Sequence, residues 1–160
     1  MQSFSIFASI AVLAVIVPGL LTAQTDPAIG TWKLNVAKSK YSGAPTPKSI
    51  TTTIEAAGAG YKVSSEGVTS DGSHIAYSYT ATLDGKESPM TGTGTPNGAD
   101  TISLTKTGPN SLDATLKKSG KVVLNGKSLI SRDGKTRTLT STGTNAAGQP
   151  TKITGVYDKQ

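Results

Sequence analysis

The sequence predicts an all-β domain closed into an antiparallel up-and-down barrel of about eight to ten strands. Three observations lead there. Short runs with apolar residues at every second position recur along the chain, most clearly Ile75, Tyr77, Tyr79, Ala81 and Leu83 against His74, Ala76, Ser78, Thr80 and Thr82; this is the two-residue period of a half-buried strand. Turn signals such as Asp71-Gly72, Asp84-Gly85, Ser119-Gly120 and Asp133-Gly134 separate the runs, so neighbours in sequence pair as hairpins. Beyond the apolar N-terminus no stretch carries a helical period. A single antiparallel sheet of that many strands would leave two open edges, and closing the ring removes both. A two-sheet sandwich is the alternative, but it calls for longer cross-over connections than these hairpins supply.

Residues 1–23 stand apart. Phe4 to Val17 is almost wholly apolar and ends at Pro18-Gly19, a run too short to cross about 30 Å of hydrocarbon comfortably. Ala23 before Gln24 offers a small residue for cleavage, so residues 1–23 read as a signal peptide and residues 24–160 as one barrel domain. Met1-Gln2-Ser3 lacks the expected Lys or Arg, which leaves an uncleaved anchor as the alternative. The chain has no cysteine, which removes disulfides and lipidation of the bacterial lipoprotein type. The expectation is a soluble, monomeric protein of the periplasm or cell exterior, with no stable membrane anchor after cleavage.

The strands follow in order. Gly30-Thr31-Trp32 opens the first, placing Trp32, Leu34 and Val36 on one face and Thr31, Lys33 and Asn35 on the other. Gly30 before the indole suggests a place where another group comes close. Residues 37–47, with Pro45 and Pro47, read as an irregular connection or lid. Ile50, Thr52, Ile54 and Ala56 define the next inward face, and Tyr61, Val63 and Ser65 the one after. Asp71-Gly72 is expected to form a tight hairpin turn with positive φ. Beyond the His74–Leu83 run come a short strand from Lys86 to Met90, a flexible loop over 91–98, and two strands marked by Ile102 and Leu104 and by Leu112, Ala114 and Leu116. From Lys121 to Ser131 the parity of Val122, Leu124 and Ile130 conflicts with that of Val123 and Leu129, and a bulge at Gly126 would resolve it. Arg137, Leu139 and Ser141 share a face of the penultimate strand, and Ile153, Gly155 and Tyr157 share one on the last.

Composition excludes more than it assigns. The net charge of +6 belongs to the mature part, since residues 1–23 carry no charged side chain. The lysines are scattered apart from Lys117-Lys118 with Lys121, without the aromatic interleaving of a nucleic-acid binder. They suit a solvated exterior or, as a second function class, a surface module with a filled barrel that binds anionic glycan or lipid. His74 is the single histidine, so a His-paired metal site is excluded. No nucleophile elbow occurs, and Gly126-Lys127-Ser128 imitates a phosphate loop only until Lys121, which stands where the upstream glycine is required. Glu55, Glu66, Asp71, Asp84, Glu87, Asp100 and Asp113 fall on outward parities or in turns, leaving no carboxylate pair for glycosidase chemistry. No catalytic residue, metal or cofactor is expected.

What remains is binding inside the barrel. Trp32, Tyr61, Tyr77, Tyr79 and Tyr157 carry inward parities, with Arg137 on the same side or exposed, and small barrels so lined hold one guest. An inward Arg137 needs a partner: either the face of Trp32 or the carboxylate of a ligand. The expected function is non-enzymatic binding of a small, partly apolar molecule.

The Gly30-Thr31-Trp32 motif resembles the leading G-x-W of lipocalins and related calycin barrels. That resemblance implies a lipocalin-like fold in which Trp32 plugs one end and Arg137 packs across it. Avidin-like barrels also begin G-T-W, but their tryptophan-rich biotin pocket has no counterpart in a chain with one Trp. The longer pattern of residues 30–35, Lys38-Ser39-Lys40-Tyr41 and Thr80 to Lys86 resembles a group of small exported bacterial proteins of unassigned function, over most of the mature chain.

Overall fold

The computed structural model describes residues 26–160, so the apolar segment and the cleavage expected after Ala23 lie outside the described residues. Eleven strands follow in order: β1 (Gly30–Leu34), β2 (Lys40–Ser42), β3 (Ser49–Ala57), β4 (Gly60–Val68), β5 (His74–Thr82), β6 (Asp84–Thr93), β7 (Thr101–Gly108), β8 (Ser111–Lys118), β9 (Lys121–Ile130), β10 (Thr136–Thr144) and β11 (Pro150–Lys159). Each strand from β3 to β11 pairs antiparallel with the next, β3 also pairs with β1, and β1 closes on β11, giving a ten-stranded up-and-down barrel. The eleventh strand, β2, extends the wall beside β11 through Ile153↔Tyr41. Closure satisfies backbone groups that an open edge would leave to solvent or to another chain.

The two-residue alternation sets which side chains enter. Trp32, Ile54, Tyr61, Val63, Ile102, Leu104 and Tyr157 are buried, while Lys62, Glu66 and Thr105 on opposite parities are exposed. The interior is lean in large aliphatics and includes buried hydroxyls instead, with Thr52 Oγ1 and Ser65 Oγ paired at 3.0 Å across β3 and β4. Such pairing removes the penalty of burying each hydroxyl alone.

Five local expectations are corrected. Val36 leaves the first strand for a 3₁₀ turn, Val36–Lys38, and is 40% exposed, because Asn35 Oδ1 accepts the Lys38 amide and bends the chain there. The connection over 37–47 is not wholly irregular, since β2 lies within it. The short strand expected over Lys86 to Met90 runs the length of β6 and absorbs the start of the glycine-rich loop. Asp71 keeps a negative φ, because its carboxylate accepts the Thr69 hydroxyl and the Ser73 amide and builds a five-residue Asx turn instead of a two-residue one. Of the four expected two-residue turns, Ser119-Gly120 alone takes positive φ at both residues, 49° and 78°.

The fifth correction is the bulge. It sits at Val123, not Gly126: Leu116 pairs with Leu124 and Lys117 with Val122, while Gly126 pairs regularly with Ala114 and Ser141. The extra residue turns Val123 toward the core and throws Val122 outward, 50% exposed.

Candidate functional site

The barrel has a sealed end and an open one. Connections after β3, β5, β7 and β9 share the sealed end with the segment entering β1. There the indole of Trp32 is fully buried and its Nε1–H donates to Ala28 O at 2.9 Å. Lys159 Nζ lies 5.0 Å from the ring centre and donates to Pro27 O at 3.1 Å. The cation over the tryptophan is therefore Lys159, not Arg137. Register explains this: Trp32 pairs with Lys159, while Arg137 is level with Tyr157 and Leu34 further up the wall. A Cβ on Gly30 would lie 2.8 Å from Lys159 Cε, so the glycine before the indole makes room for that crossing.

Asp26 pins the same segment. Its Oδ2 accepts Tyr61 OH at 2.7 Å and Lys106 Nζ at 2.6 Å, and its Oδ1 accepts the Ala28 amide at 3.0 Å. Burial opposes the charge, but these donors outweigh it and hold the carboxyl below its ordinary value, while burial and the Asp26 carboxylate push the Tyr61 phenol up. A lowered folded value means that the stabilisation is complete above the ordinary carboxylate value of 3.8 and is lost as pH falls through the lower folded one. Asp26→Asn is expected to remove about 1 kcal/mol at neutral pH, screened by partial exposure. Urea midpoints measured against pH should then fall less steeply on the acid limb for the variant; parallel curves would show that Asp26 does not carry this dependence.

Above this floor lies a cavity of about 390 Å³, opening between the β2–β3, β4–β5 and β6–β7 connections. Tyr77, Tyr79, Arg137 and Tyr157 line it together. A smaller void of about 30 Å³ lies lower, lined by Tyr61, Tyr79, Arg137 and the Asp26 latch, with room for one water. Of the six residues expected at a ligand site, Trp32 alone lines neither space; its place is in the floor.

Arg137 sits at the junction of the two spaces. Its Nε–H donates to Ser128 Oγ at 2.9 Å, and its guanidinium carbon lies 5.7 Å from the centre of the Tyr157 ring. No carboxylate lies within ion-pair distance of it among the described residues. The Tyr157 ring lies back along β11, where a Cβ on Gly155 would approach it to 3.0 Å, which keeps the ring against the wall and the shaft clear. Burial pushes the phenols of Tyr77, Tyr79 and Tyr157 above their ordinary value, opposed in each case by the Arg137 charge. These phenols therefore stay protonated, each with a hydroxyl hydrogen to offer at the cavity that Arg137 also lines.

Tyr41 lines the cavity from β2 and was missed because its stretch reads as a loop. Ser128, Lys106, Asp26 and Lys159 were also missed. Their roles arise from pairing across the barrel, and no local pattern marks them. His74 is exposed at the start of β5.

No protein-family model matches the chain, and no curated protein matches it significantly. Among solved structures, zebrafish ileal bile acid-binding protein complexed with cholic acid is similar over 84% of this chain and 99% of that one, at 16% identity and a TM-score of 0.51. The chain has the fold of a closed antiparallel up-and-down barrel, like that protein. A redesigned β-barrel, mFAP1, bound to DFHBI, aligns over 83% of this chain and 95% of that one, at 15% identity and a TM-score of 0.43. At 16% identity the likeness to the zebrafish protein is one of fold.

Proposed function

We propose that the protein is an exported, non-catalytic binder of one small amphipathic molecule, held with an anionic head at Arg137 and its apolar body toward the open end. The observation that carries this reading is a guanidinium inside the barrel, facing a cavity of about 390 Å³, with no carboxylate within ion-pair distance among the described residues. A cation so placed is costly to the fold unless something neutralises it, and a ligand carboxylate or sulfonate does so with two parallel hydrogen bonds. Protonated tyrosines beside it add donors, and Ile50, Leu116 and Ile153 supply apolar wall above. Seven strand steps separate Arg137 from Thr144 at the rim, a shaft on the order of 17 Å at the usual rise and barrel tilt. Cholic acid, bound by the zebrafish barrel, combines an apolar body with a carboxylate in the same way. Export rests on the apolar segment from Phe4 to Val17.

A filled structural barrel is disfavoured by the cavity itself. Titration with anilinonaphthalene sulfonate is expected to show saturable uptake at one site per chain, reversed by a long-chain carboxylate. Failure of both that dye and a neutral apolar dye to saturate would remove the binding reading.

A further inference from the structure

We infer that the open end is a docking face for an anionic lipid bilayer, set so that the cavity mouth meets the membrane surface. Topology collects Lys48, Lys118, Lys121 and Lys152 at this end, with Lys40 midway along the wall below, and all five are exposed. None of them is in an ion pair among the described residues. Several other cations are paired or covered, Lys106 with Asp26, Lys62 with Glu55, Lys38 with Asp158, Lys117 with Glu87 and Lys159 over Trp32, whereas Lys33 on the wall and Arg132 and Lys135 at the sealed end are exposed and in no ion pair among the described residues. Near the open end Asp71 accepts from Thr69 and Ser73 and Asp100 from the Ser119 amide, all neutral donors, and Glu66 stands two residues before the end of β4, so these acids offset part of the lysine charge. Unpaired cations are nevertheless denser where the cavity opens, at Lys48, Lys118, Lys121 and Lys152, than at the sealed end, at Arg132 and Lys135.

The bulge supplies the apolar element. An unbulged β9 would point Val122 inward with Leu124; the extra residue turns it out at the rim, one position after Lys121. Pro45, also exposed, stands at the mouth itself. Lysines around an exposed aliphatic and a proline match a bilayer interface, where charge meets headgroups and the apolar side chain enters between them. An apolar guest is scarce in water and abundant in such a surface, so a mouth-down orientation gives it a short path. The delivery role rests on the cavity reading; the docking does not.

The test is sedimentation of the purified protein with vesicles of phosphatidylcholine, with and without phosphatidylglycerol. Binding is expected only with the anionic lipid, weakening as salt rises. K118Q/K121Q should lower the partition constant on the order of 25-fold, since each lysine near an anionic surface is worth about a fivefold change, and Val122→Ser should lower it further. R132Q/K135Q, at the sealed end, should leave it within about twofold of the unsubstituted protein. Equal binding to both vesicle types, or equal loss in both double variants, would overturn the docking face. So would retention on heparin without vesicle binding, which would assign the charge to a glycan. None of these substitutions touches the cavity wall, so dye uptake in vesicle-free buffer reports on the binding reading separately.

Discussion

Arg137→Leu is expected to weaken binding of an anionic apolar guest about 30-fold, or about 2 kcal/mol, while leaving the empty protein as stable as before or more so. The two effects separate because of how Arg137 is held. Its protein partners are one serine hydroxyl at 2.9 Å and the face of Tyr157, neither of which carries a compensating charge. In the empty barrel the guanidinium is incompletely neutralised, so a leucine, though shorter, removes an electrostatic penalty and keeps apolar contact with the wall. With an anionic head in place the balance reverses, since charge-assisted hydrogen bonds are about twice as strong as neutral ones. Affinity for a neutral dye of similar size should change little. Parallel titrations of anionic and neutral dyes, with urea melts of the empty proteins, measure all three. Equal loss for both dyes would mean that Arg137 shapes the cavity without selecting charge.

Trp32→Ala is expected to have the largest effect on stability, about 3 to 5 kcal/mol, against the 5 to 15 kcal/mol of a typical domain. The indole has no solvent exposure, packs in the floor of the barrel, and ties down the entering segment through its bond to Ala28 O. Alanine would leave a void, an unpartnered carbonyl and Lys159 without its aromatic face. Trp32→Phe separates the contributions: it keeps most of the volume and the cation contact but loses the indole N–H, and should cost about 1 kcal/mol. Urea midpoints rank the two variants. A loss below about 1 kcal/mol for Trp32→Ala would show that the floor is not organised around that ring.

Alternation made most of the wall legible. The inward parities of Tyr77, Tyr79 and Tyr157 were readable because a strand commits every second side chain to one face whatever lies opposite it, whereas the orientation of Arg137 was left open. Those four side chains do meet at one cavity. Local reading failed where a turn or bulge resets the phase, as at Asn35 and Val123, because a single inserted residue exchanges inside for outside. It failed again at Asp26 and Lys106, which meet at 2.6 Å although 80 residues apart.

By itself the sequence determined that the chain is all-β, built of hairpins that favour closure, and which faces turn inward wherever no turn or bulge resets the phase; these follow from side-chain period and turn chemistry, both local. Tertiary structure alone decided which cation covers Trp32, which end is sealed, and that the interior stays hollow around Arg137. Those outcomes depend on the stagger with which the first strand meets the last. Closure sets that stagger for the whole ring, and no single strand encodes it.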